Sequence, residues 1–160
     1  MIATVAVLAL ALQSPGALKP AATGDIVGAT RACIAASDPR QVDTAQLAAE
    51  GWQAGATQDG RGKPVETDLD VWASAGNGAV ILTMAGQPLC TVMARVERAG
   101  RYPVIRDALH AAIGARGRIV ERQAYQQTWM VEGLVIDLAA TGNQQAPSVR
   151  VTVMQTKGNS

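Results

Sequence analysis

Two cysteines, each on the apolar face of its own periodic segment, constrain this chain more than any other feature. Ile26, Thr30, Cys33 and Ile34 recur at helical spacing within residues 25–37, which turns Cys33 toward a core. Cys90, Val92, Ala94 and Val96 alternate with Thr91, Met93, Arg95 and Glu97, which places Cys90 on one face of a strand. Two unrelated periodicities therefore aim both sulfurs into a helix–sheet interface. A Cys33–Cys90 disulfide is the expectation, provided the chain leaves the reducing cytosol. No Cys-x-x-Cys spacing exists to tune a reactive thiol, so the bridge reads as structural rather than redox-active.

The N-terminus supplies that proviso. Residues 2–12 form a run that is apolar but for Thr4, and Ser14-Pro15-Gly16-Ala17 follows. This reads as a signal peptide and linker over residues 1–22, with Ala9-Leu10-Ala11 as a small-x-small cleavage pattern. No Lys or Arg precedes the run, and it is far shorter than the roughly 20 residues a membrane span needs. The alternatives are a buried N-terminal element and an uncleaved leader that anchors the chain. No cysteine lies near the cleavage region to carry a lipid. The expected location is periplasmic or secreted. Abundant Arg, Ala and Gly with no Phe suggest a bacterial gene of high GC content.

Of the 160 residues, 48% are hydrophobic and 17% charged, a balance that excludes disorder as the main state. A single α+β domain over residues 23–156 with a disordered tail at 157–160 is expected. The formal net charge of +1 gives no electrostatic case for nucleic acid or an anionic membrane.

Periodicity predicts a second short helix at 44–50 with Asp43 as its cap, then a loop at 53–64. The period then changes to two. Strands are expected at 65–72, 79–85 and 89–97, with Ser74-Ala75-Gly76-Asn77-Gly78 as the first turn and Asn77-Gly78 as its hairpin signal. A helix at 103–113 begins with Pro103. Extended structure follows at 118–131, with Glu132-Gly133 as a turn, and the last strand spans Val149, Val151 and Val153. The expected fold is therefore α+β: an antiparallel sheet of about six strands in two meanders, with two or three helices packed on one face. The two helix-plus-meander halves hint at an internal duplication, although no aligned residues support one.

Catalytic chemistry is sparse. The lone histidine, His110, shares a solvated helix face with Arg106 and Asp107, and Asp107 is placed to orient it. No Gly-x-Ser-x-Gly elbow occurs, and Gly60-Arg61-Gly62-Lys63-Pro64 lacks the spacing and the Ser/Thr of a phosphate loop. No zinc-ligand set can be assembled, so neither a metal nor a cofactor is expected. Glu66, Asp68 and Asp70 line one strand face in this register, and Trp72 continues it, which predicts an acidic patch with an exposed indole. Trp129 and Tyr125 are expected in the core. The favoured reading is a non-enzymatic domain that binds a protein or envelope component through the Glu66–Trp72 face. The alternatives are a small hydrolase or cyclase using Asp68, Asp70 or His110, and an N-terminally anchored envelope protein.

Overall fold

The computed structural model describes residues 18–156. Helix α1 (Thr23–Ala35) and helix α2 (Thr44–Ala49) come first. Strands β1 (Gln53–Gly55), β2 (Leu69–Ala73), β3 (Val80–Met84) and β4 (Leu89–Arg95) follow. Helix α3 (Tyr102–Ala112) crosses to β5 (Arg118–Gln123), β6 (Gln126–Val131), β7 (Leu134–Gly142) and β8 (Pro147–Gln155). The eight strands form one antiparallel sheet in the order β1-β2-β3-β4-β8-β7-β6-β5. Helices α1 and α3 pack against each other, and α1 lies against β4 and β8 at the centre of the sheet.

The α+β class with helices on one side of an antiparallel sheet is thus present, but there are eight strands rather than six. The first addition is β1, which is too short to show a period and exists only through its ladder with β2. The second comes from residues 118–131, which fold back at Ala124-Tyr125 into β5 and β6. The sheet has an approximate twofold layout. Each half is a helix followed by a four-stranded meander, and the last strands of the two meanders, β4 and β8, meet at the seam.

The helix ends show why the chain bends where it does. The Asp25 carboxylate accepts from the backbone N–H of Ala22 at 3.1 Å and of Gly78 at 3.1 Å. It therefore closes the first turn of α1 and also ties that turn to the β2–β3 connection. The Asn77 side-chain amide donates to the Asp25 carbonyl at 3.2 Å. The turn expected over residues 74–78 is present: Asn77 N–H donates to the Ser74 carbonyl and Gly76 takes a φ of 77°. Asn77 and Gly78 at its end serve in addition as a clamp onto α1. At α2, the Asp43 carboxylate accepts from Gln46 N–H as its sequence position predicts. Glu132 and Gly133, with φ of 50° and 81°, make the tight β6–β7 turn.

The core fills the space between the helices and one face of the sheet. Cys33 and Cys90, both fully buried, are joined by a disulfide with their Cα atoms 5.6 Å apart. Around the bridge lie Ile26 and Ala29 of α1, Val92 of β4, and Val151 and Val153 of β8. Ile105 and Leu109 of α3 belong to the same buried cluster as Ile136 and Leu138 of β7. Of the expected leader and linker over residues 1–22, residues 1–17 lie outside those described, as does the expected tail at 157–160; within residues 18–22, Ala21 N–H donates to the Arg95 carbonyl at 2.8 Å and Ala21 packs against the core.

Candidate functional site

The residues expected to form an acidic binding face do not share one. The strand begins only at Leu69, so Glu66 and Asp68 sit in irregular backbone ahead of it, both exposed. The Thr67 hydroxyl accepts from Leu69 N–H at 3.2 Å, a local bond that competes with extending the ladder. Asp70 and Trp72 do share a face, but it is the helix-covered one: Trp72 pairs with Ile81 and is 7% exposed. Its indole N–H donates to the buried Thr83 hydroxyl at 2.9 Å. That bond satisfies the ring's one polar atom, so the large apolar surface is free to enter the core. The expected exposed indole is thus a core side chain.

His110 lies on an exposed helix face as expected, but Asp107 does not orient it. Asp107 pairs with Arg106 at 2.9 Å. The His110 ring instead accepts through Nδ1 from the Trp129 indole N–H at 3.1 Å and stacks on that ring. Trp129 is buried as expected, whereas Tyr125 is 65% exposed. Asp70 on β2 and His110 on α3 lie over opposite halves of the sheet, so the carboxylate and histidine candidates are not brought together. Among the described residues no group of three or more His, Cys, Asp or Glu side chains is placed to hold a metal ion.

The site that the fold does assemble is the other face of the sheet. Along β4, Cys90, Val92 and Ala94 are buried under the helices, while Leu89, Thr91, Met93 and Arg95 alternate with them on the opposite side, partly exposed. The same alternation runs along β8, where Ser148, Arg150, Thr152 and Met154 face away from the core. The registers join these side chains into rows across the strands. One row carries Leu69 beside Met84, then Leu89 beside Met154, Val135 and Met130. The next carries Val71, Leu82, Thr91, Thr152, Asp137 and Thr128. A third links Val80, Met93, Arg150, Ala139 and Gln126.

The first-half strands make this face almost wholly apolar, and the second half mixes in polar groups. Asp137 accepts from the Thr128 hydroxyl at 2.7 Å and from the Gln126 amide at 3.0 Å. Every methionine among the described residues lies here: Met84, Met93, Met130 and Met154. Met84 is 46% and Met154 41% exposed. Methionine is flexible and polarizable, and it adapts to the shape of whatever it meets. A contiguous exposed apolar patch of this kind is uncommon on a chain that meets only water.

Sequence reasoning missed this face because it took the alternation of β2 in the wrong sense. The positions of the methionines were visible, but only the strand registers show that they share one surface. Comparison with known proteins returned no match among protein-family models, curated proteins or solved structures.

Proposed function

We propose that this chain is a non-enzymatic binding module of an oxidising compartment, the periplasm or the extracellular space. Its contact surface is the uncovered face of the sheet, not the Glu66–Trp72 segment. The observation that carries the reading is the gathering of Met84, Met93, Met130 and Met154 with Leu69, Leu82 and Val135 on a face that no helix covers. The buried Cys33–Cys90 bridge supports the compartment, since such a bond persists where thiols are not kept reduced. The partner is a protein or envelope component with an apolar surface of its own. Arg150, beside Met93 on the central strand β8, and Arg118, beside Met130 on the edge strand β5, add positive charge to the same face and favour acidic groups on the partner.

Photo-crosslinking in the native host tests this. A photoreactive amino acid at Met84 or Met154 is expected to yield one discrete adduct, and the same group at Glu66 or Asp68 none. If the Glu66 and Asp68 positions crosslink while Met84 and Met154 stay silent, the contact face has been misassigned. If no position gives an adduct in intact cells, the binding reading fails. The separate reading as a carboxylate-dependent hydrolase or cyclase has no observation in its favour: Asp68 and Asp70 are both exposed at the start of β2, and His110 lies over the other half of the sheet.

A further inference from the structure

A cavity of about 370 Å³ opens at the end of the sheet where three connections converge. The start of α3 contributes Tyr102, the β5–β6 turn Tyr125, and the β7–β8 hairpin Thr141 and Gln144, with Ser148 and Val149 closing the wall. The volume lies within the range of small-molecule sites. No Asp, Glu, Lys, Arg or His side chain lines it.

Two features of the wall point to a ligand. Tyr102 is 2% exposed, yet its hydroxyl has no hydrogen-bond partner, and the same holds for the buried Thr141 hydroxyl. Buried hydroxyls are nearly always paired, and leaving one unpaired costs free energy that a bound polar group would recover. Burial also pushes the Tyr102 phenol above its ordinary value, so it stays neutral and keeps its proton to donate. Tyr125 supplies the second feature. Its ring stands edge-on to Tyr102, with centroids 5.9 Å apart, and still leaves most of its surface open. The turn beneath it is fixed, because its carbonyl accepts from Ala140 N–H at 2.9 Å. On the far side, the Asn143 side-chain oxygen accepts from Gln145 and Ala146 N–H and holds the hairpin tip in shape.

We infer that this cavity binds a small neutral polyhydroxylated ligand, a saccharide unit, which stacks on Tyr125 and pairs with the Tyr102 and Thr141 hydroxyls. The charged groups that act on Tyr102 from behind the wall, Arg106, Arg122 and Asp137, are of both signs and none lines the cavity, so no net counter-charge favours an ionic ligand. A wholly apolar one would leave both hydroxyls unpaired. The inference is independent of the sheet-face reading, because the cavity lies at the strand ends and uses none of the four methionines.

The experiment is an NMR titration of the ¹⁵N-labelled oxidised protein. The probes are maltose and N,N′-diacetylchitobiose as neutral saccharides, indole as an apolar probe and citrate as an anion. At least one saccharide is expected to move amides in residues 96–102, 124–126 and 140–149, saturably, while indole and citrate leave them in place. Tyr125→Ala changes an exposed side chain and keeps the fold, and it is expected to weaken binding by roughly tenfold, the equivalent of one stacking contact. Tyr102→Phe is expected to weaken it several-fold with the fold intact. The inference is overturned if no saccharide shifts these amides up to about 50 mM, well above the dissociation constant of even a weak site. It is overturned equally if indole or citrate shifts them and the saccharides do not, or if Tyr125→Ala binds as the wild type does.

Discussion

Replacing both bridge cysteines with alanine is the sharpest perturbation of the architecture. The bridge spans a sequence separation of 57 residues, from the last turn of α1 to a strand at the centre of the sheet. For a loop of that length the chain-entropy relation gives about 4 kcal/mol at 25 °C, acting through the unfolded state. Losing two fully buried sulfurs adds about 1 kcal/mol for the space they leave. A total near 5 kcal/mol shifts the folding equilibrium by more than a thousandfold, against a stability for domains of this size of about 5–15 kcal/mol. Urea unfolding of wild type and Cys33→Ala/Cys90→Ala, followed by circular dichroism, measures the difference. The m-value should rise in the variant, because an uncrosslinked unfolded chain exposes more surface. A loss below about 1 kcal/mol with an unchanged m-value would refute the account, since the bridge would then barely restrict the unfolded chain.

Other substitutions probe single contacts. Thr83→Val leaves the buried Trp72 indole N–H without its acceptor, and about 1–3 kcal/mol should be lost in urea unfolding. At Gly114 an added Cβ would lie 2.5 Å from the Trp129 indole nitrogen, so Gly114→Ala should cost about 1–3 kcal/mol and alter the near-ultraviolet dichroism of that ring. The Tyr102 phenol, raised by burial above 10.0, contributes stability that is complete below that pH and is lost as pH rises toward its folded value. Unfolding curves at pH 8 and pH 11 should therefore show wild type losing more stability than Tyr102→Phe; equal losses would mean that Tyr102 is not the group responsible. Met84→Asp with Met154→Asp should leave the melting temperature within a few degrees, because both side chains are exposed, while abolishing the crosslinked adduct described above.

Much of the framework was legible in the residues because local signals and tertiary demands agree there. Ile26, Cys33 and Ile34 mark the inner side of α1, and Asp43 caps α2 as its place before Thr44 implies. The alternation through β4 separates Cys90 and Val92 from Thr91 and Met93 correctly. Reading failed where a long-range bond outweighs a local pattern. Trp72 continues a polar alternation, yet Thr83, a cross-strand neighbour, draws it inward. Ala124-Tyr125 turns the chain without Gly, Pro or Asn, so the break between β5 and β6 leaves no trace in composition. Asn77-Gly78 ends the turn that its hairpin signature implies, but its recruitment by Asp25, from far away in sequence, leaves no local trace. The cavity beside Tyr102 was not readable at all, since its wall draws on residues from the end of β4 to the start of β8 that no spacing relates.

The position of β8 bears on how the molecule becomes complete. This strand follows the other seven in sequence, yet it is inserted in the middle, with β4 on one flank and β7 on the other. Until it arrives, the first meander ends in an open edge and the two halves have no ladder between them. Closure of the sheet is therefore a late, long-range step, slow in the way that non-local strand pairing is slow. The last strand of the sheet to emerge in synthesis is thus the one that joins the two halves into a single sheet.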